Sequence, residues 1–180
     1  MSPLTPSAAP HFDAQPAEVL VYAEREEDAL AVDDLIERAF GPGRYAKTAE
    51  RLREGNHPEL ALSFCAFGAG ALVGAVRQWP ILVGETPALF LGPIAVEAAW
   101  RKHGVGGKLI RRSCEAAAAA GVGHILLVGD APLFGPHGFV QVPAGRIVLP
   151  GPVNPSRLLW RELREGALDG VFGPVMKPRS

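Results

Sequence analysis

Cysteine is scarce in this chain, with two in 180 residues. Cys65 and Cys114 each sit inside an apolar segment and share no CxxC spacing, which excludes a disulfide framework and gives no zinc site. Both read as small buried hydrophobes. An excess of one charge is missing too: 18 basic against 19 acidic residues leave a formal net charge of −1. Strong electrostatic capture of nucleic acid or of an anionic membrane surface is therefore not expected. No run approaches the ~20 apolar residues of a membrane helix. The first 17 residues, MSPLTPSAAPHFDAQPA, lack the basic and apolar regions of a signal peptide. They read as a disordered Pro/Ala/Ser-rich arm before one cytoplasmic domain over residues 18–180, a length sufficient for a real core.

Glycine and proline are plentiful, at 21 and 17 residues, so loops should be many and sharply punctuated. Val19 to Ala23 is a short β-type run. It leads into a segment where Ala29, Val32, Leu35, Ile36, Ala39 and Phe40 recur at three- and four-residue spacing, the stripe of an amphipathic helix. Gly41-Pro42-Gly43 stops that helix. Tyr45 to Glu54 predicts a second, shorter helix with Ala49 and Leu52 inward. Residues 61–67 and 71–79 flank Gly68-Ala69-Gly70 and read as a β-hairpin. Residues 88–96, ALFLGPIAV, form an apolar strand with Gly92-Pro93 in its middle, where the missing N–H forces a bulge or a break in pairing. A glycine loop then opens a helix over about 105–120, and HILLV (124–128) is a buried strand. Arg146 to Leu149 predicts a strand, and Leu158 to Leu163 is either strand or helix.

The loop Arg101-Lys102-His103-Gly104-Val105-Gly106-Gly107-Lys108 carries the chemistry. Backbone N–H groups at a helix N-terminus lack intrahelical acceptors and, with the helix dipole, suit a phosphate or pyrophosphate. Glycines at 104, 106 and 107 permit positive φ and admit an anion with no Cβ in the way, while Arg101, Lys102 and Lys108 add charge. Two nucleotide-binding fingerprints fail on spacing. A P-loop needs GxxxxGK followed by Ser or Thr, and Leu109 follows Gly107-Lys108 here. A dinucleotide loop needs GxGxxG, and Leu109 stands where the third glycine belongs.

The remaining pattern, LGPIAV, then RKHGVGG, then GDAPLFGPHGF, resembles the acetyl-CoA-binding core of the GNAT N-acetyltransferase superfamily, in particular its small bacterial members. The resemblance implies an α/β (α+β) fold, a mixed central sheet with a bulged, splayed strand pair and flanking helices. It further implies that the backbone of Ile94, Ala95 and Val96 holds the pantetheine arm of acetyl-CoA and that Arg101, Lys102, His103, Gly104, Val105, Gly106, Gly107 and Lys108 surround its pyrophosphate. Phe134 would border the same site. The implied reaction is transfer of the acetyl group to a primary amine by direct attack in a ternary complex, with acetyl-CoA and the amine as partners and no metal.

The catalytic residues are the weak part of the likeness. Many family members carry a carboxylate on the bulged strand, and 88–96 has none; Glu85 is the nearest, competing with its reading as a solvated loop charge. The family's frequent general acid, a tyrosine, falls at Phe134. His137 is the candidate substitute proton carrier, against a structural turn histidine, and Asp130 reads as a helix cap. Arg77 and Trp79 either line the acceptor site or pack. The departure at Phe134 motivates an alternative, an acyl-CoA-binding module with a sensing or partner-binding role and no turnover. Oligomeric state is read as monomer or homodimer, with Leu158, Leu159, Trp160, Val171 and Phe172 as apolar surface for a dimer.

Overall fold

A computed structural model describes residues 18–179; the disordered arm expected over 1–17 lies outside the described residues. Strands β1 (Val19–Ala23), β2 (Phe64–Gly68), β3 (Ala71–Val83), β4 (Thr86–Val96), β5 (His124–Val128), β6 (Val140–Gln141), β7 (Ile147–Val148), β8 (Leu158–Glu162) and β9 (Gly173–Met176) build one mixed sheet. Its order is β1-β2-β3-β4-β5-β8-β6, with β9 against the end of β3 and β7 against β9. Helices are α1 (Ala29–Phe40), α2 (Thr48–Arg51), α3 (Val105–Ala119) and α4 (Ala131–Phe134). The α/β class and the mixed sheet with flanking helices agree with the sequence reading. Among the described residues no helix is long and apolar enough to cross a membrane.

Side-chain alternation along β4 sorts the core into two faces. Leu89 and Leu91 pack with Val105, Leu109, Ile110 and Ala117 of α3. Ala88 and Phe90 point the other way, toward Leu52, Trp79, Ile81 and Trp160. Further along that second face, Val32, Leu35 and Ile36 of α1 cover Cys65, Ala75 and Ala95. Both cysteines are buried and unbridged. Arg77 faces α1, where it donates to Glu24 at 2.6 Å and to Asp33 at 2.6 Å, with the Glu24 side chain fully covered. Such a pair positions its elements more than it adds net stability, but removing one member leaves a buried charge alone.

Several elements differ from the sequence expectation. The predicted helix 45–54 is a 3-10 stretch (Pro42–Ala46) followed by the four-residue α2, because Lys47 is extended between them. The strand expected from 61 begins at Phe64, after a 3-10 turn over Leu60–Leu62. The hairpin loop has two residues, Ala69 and Gly70, both at positive φ, as twisted two-residue hairpins require. β3 runs on through Pro80 to Val83. This is tolerable because the Pro80 carbonyl accepts from Asn56 Nδ2 at 2.9 Å; in an antiparallel strand the absent N–H lies on that same side, away from β4. Residues 158–162 are strand β8, and β9 was not foreseen. Leu158, Leu159, Trp160 and Val171 are buried, leaving only Phe172 exposed of the surface assigned to a dimer.

Candidate active site

Two residues of β4 oppose one of β3. Gln78 pairs Leu91 and Val76 pairs Ile94, so Gly92 and Pro93 together face Arg77. This is a β-bulge, and it turns the end of β4 away from its parallel neighbour. Pairing of β4 with β5 stops at Leu89 with Ile125 and Phe90 with Leu126. Beyond that point the strands diverge. Ile94, Ala95 and Val96 keep their partners on β3, so alternate N–H and C=O groups of this stretch face the gap rather than a strand. Trp79 fastens the bulge from behind by donating its indole N–H to the Gly92 carbonyl at 2.6 Å.

The gap opens into a cavity of about 710 Å³ lined by Leu91 to Val96, by Arg101, Lys102 and Gly104 to Gly107, and by Val128 to Asp130 and Phe134. α3 starts at one end of it. Lys108 N–H is the first to reach back along the helix, to the Gly104 carbonyl at 3.0 Å, which leaves the amides of Val105, Gly106 and Gly107 for a ligand. Left-handed backbone occurs at Lys102 (φ 67°) and Gly104 (φ 76°), whereas Gly106 and Gly107 are helical. Of the three glycines only Gly104 uses the positive φ open to it: Gly106 and Gly107 leave the first helical turn bare, and the loop's turn is made by Lys102 and Gly104.

Most of the residues that the sequence resemblance assigns to acetyl-CoA come together at this cavity. Ile94, Ala95, Val96, Arg101, Lys102, Gly104, Val105, Gly106, Gly107 and Phe134 all line it. His103 and Lys108 do not; both are exposed outside it. Glu85 is not brought to the site. It sits exposed in the β3–β4 turn, where Val83 pairs Thr86, and seven residues of extended chain at ~3.3 Å each put it about 23 Å from Gly92. His137 stands behind the loop: its Nε2 lies 3.6 Å from where a Cβ on Gly107 would be, outside the lining residues. Burial, with Arg111 and Arg161 nearby, lowers its pKa below the usual value. Trp79 and Arg77 are held in the packing described above and line nothing.

Asp130 is the one carboxylate among the lining residues, and it pairs with Arg157 at 3.0 Å. Phe134, which has no hydroxyl, rests on Gly129 and meets Phe139 edge to face at 5.9 Å. Across the sheet from α3, three cations reach the cavity: Arg44, Lys47 and Arg53. Sequence reasoning missed all three, which carry no motif. Arg53 is half-buried, and the loss of solvent around it lowers its pKa to about 10.

These features have counterparts in known proteins. The Acetyltransferase (GNAT) family profile matches residues 29–135, more than half of the chain. The chain belongs to the GNAT acetyltransferase family. It is similar to the uncharacterized N-acetyltransferase YhbS of Escherichia coli K12, with 26% identity over 159 residues, 87% of this chain and 95% of that protein. The crystal structure of YhbS in complex with CoA superposes with a TM-score of 0.77 at 26% identity over 93% of each chain. A GNAT acetyltransferase from Brucella melitensis in complex with acetyl-CoA gives 0.58, with 26% identity, covering 85% of this chain and 99% of that one. As a GNAT protein this chain is an acyltransferase of the N-acetyltransferase type, and its mixed sheet with flanking helices matches the fold of these neighbours.

Proposed function

We propose that this GNAT protein transfers the acetyl group of acetyl-CoA to a primary amine by direct attack in a ternary complex, acting in the cytoplasm. The observation that carries the reading is the divergence of β4 from β5 after Phe90 and Leu126, into a cavity that ends at three free amides of α3. Pantetheine pairs with the open edge of Ile94 to Val96 as a further strand would. The amides of Val105, Gly106 and Gly107, with Arg101 and Lys102, hold the pyrophosphate. The complexes of the E. coli and Brucella relatives with CoA and acetyl-CoA support this.

Acetyl-CoA supplies an activated acetyl thioester. The neutral amine attacks its carbonyl carbon, the C–N bond forms as the C–S bond breaks, CoA departs as thiolate, and the amine's surplus proton goes to water. An alkylamine of pKa near 10.4 is only about 0.04% neutral at pH 7, so proton removal matters. Asp130, alone among the lining carboxylates, is the candidate for receiving it through water. Glu85 is too distant for this, and His137 supports the loop through Gly107. Positioning supplies most of the acceleration, with a backbone N–H near the bulge polarising the thioester carbonyl.

The test is thermal. Acetyl-CoA is expected to raise the melting temperature of the purified protein, and Gly104→Val, which puts a β-branched residue at a left-handed position, to abolish the shift. An unchanged melting curve at saturating acetyl-CoA is the contrary result. The second reading, an acyl-CoA-binding module without turnover, is favoured by Phe134 and by the lack of Tyr or His among the lining residues. Acetyl-CoA binding without free thiol release on any amine would support it.

A further inference from the structure

Arg53 is placed unlike an ordinary structural arginine. It enters from the end of α2, on the face of the sheet opposite α3, and its Nη2 reaches within 3.1 Å of the point a Cβ on Gly92 would occupy. Its guanidinium stands 5.5 Å over the Phe90 ring. Its Nε is buried with no hydrogen-bond partner. Its one ion pair, to Glu50 Oε2, is long at 3.4 Å, and that oxygen also serves Arg44 at 3.7 Å. A guanidinium has five N–H donors. Covering such a charge without satisfying its donors is unfavourable, so an arginine whose Nε is buried at the wall of a cavity is incomplete until an acceptor arrives.

The pyrophosphate of acetyl-CoA does not provide that acceptor, since the α3 amides that suit it lie at the other face of the sheet. The protein's own carboxylates serve it only in part: Glu50 takes one Nη1 contact at 3.4 Å and is shared with Arg44, and Asp130 is committed to Arg157. Lys47 lines the same side of the cavity and is exposed, so the mouth attracts an anion. We infer that the acceptor amine carries a carboxylate, which Arg53 grips beside the Gly92 bulge. This rests on the acetyl-transfer reading above. Because the guanidinium adjoins the bulge, where the thioester must lie for attack, amine and carboxylate are separated by only a few bonds. The substrate class is a small free amino acid. Arginine suits it because its planar fork takes a carboxylate with two parallel hydrogen bonds.

The experiment first measures acetyl-CoA binding to the full chain by calorimetry; no binding overturns the acetyl-transfer reading and this inference with it. With binding in hand, thiol release is followed for glycine, β-alanine and 4-aminobutyrate against their carboxamides. Each acid is expected to exceed its amide by about tenfold or more in kcat/KM. Arg53→Gln is expected to erase the ratio with the acetyl-CoA Kd unchanged, and Arg53→Lys to keep part of it. If none of these amines is turned over, N-acetyl-β-alanine is titrated into the CoA-loaded protein, where binding lost in Arg53→Gln supports the inference and no binding overturns it. Amides that match their acids, or an Arg53→Gln variant that weakens acetyl-CoA while keeping the ratio, also overturn it and leave acetyl transfer standing.

Discussion

Trp79 Nε1 and the Gly92 carbonyl are joined by a 2.6 Å hydrogen bond buried between β3 and β4. A bulge carbonyl has lost its ladder partner, and burial without a replacement is costly. Trp79 provides that replacement and so fixes the direction in which β4 leaves β5. Trp79→Phe keeps most of the ring and removes only the donor. The expected result is a loss of about 1–3 kcal/mol in unfolding free energy, together with weaker acetyl-CoA binding. Denaturant titration and calorimetry measure the two, and a variant with full stability and full affinity would show that the bulge holds itself.

Gly74 couples the sheet to the anion-binding helix. A Cβ there would stand 2.9 Å from Val105 Cγ1, 3.1 Å from Leu109 Cδ1 and 3.3 Å from the Ala95 carbonyl oxygen. The two side-chain tips can yield, but the backbone oxygen on β4 cannot without moving the slot. Gly74→Ala is therefore expected to cost about 1–3 kcal/mol through overpacking. It should also reduce the melting shift given by acetyl-CoA, because Val105 begins the turn whose amides are free. Loss of stability with an unchanged ligand shift would separate packing from the site.

How much of this was legible in sequence depends on whether local pattern or distant contact decided each feature. The bulge was legible because a proline in an apolar strand cannot donate, whatever surrounds it. The helix over 105–119 was legible from its glycine start and its stripe of Val105, Leu109 and Ser113. The helix expected over 45–54 had only two inward residues and no stripe, and the chain there breaks at Lys47, while Thr48 and Arg51 bond the carbonyls of Pro152 and Pro150. Those partners are a hundred residues away. β9 was hidden for the same reason, since Gly173 and Pro174 argue against a strand until β3 and β7 lie beside them. Glu85 looked close to the bulge because sequence distance is small where an extended strand makes spatial distance large. Arg53 showed nothing in the sequence, because its meaning comes from Gly92 and Phe90, both far along the chain.

His124 gives the fold an acid-sensitive point. It is fully buried at the start of β5 and neither ring nitrogen has a hydrogen-bond partner. Burial lowers its pKa from the usual 6.5, partly opposed by Glu162 on β8. The unfolded chain therefore takes up a proton at a pH where the folded ring does not. Stability is intact above about pH 6.5 and declines as the pH falls below it. His124→Phe is expected to lessen the drop in melting temperature between about pH 7.5 and pH 5.5. A smaller slope should persist, because the His137 pKa is lowered in the same direction. An identical pH profile in the variant would remove His124 from the account.

Phe134 tests whether acetyl transfer here needs an acid at all. Its ring lines the cavity and packs on Gly129 and Phe139, so Phe134→Tyr adds one hydroxyl to a wall whose lining residues include no Tyr or His. A thiol of pKa ~8.5 is about 1.5 log units above neutral pH, so protonating the leaving group is worth ~2 kcal/mol at most. An acid that captured all of that would raise kcat by about thirtyfold. The expected outcome is a rise within that ceiling, with little change in the acetyl-CoA KM. The apo protein should lose stability, because the new hydroxyl is poorly hydrogen-bonded until the cavity fills, and CoA should restore it. A fall in kcat with a raised acetyl-CoA KM would mean instead that the bare phenyl face is itself a packing surface for the thioester arm, and that the absent hydroxyl is a requirement of binding.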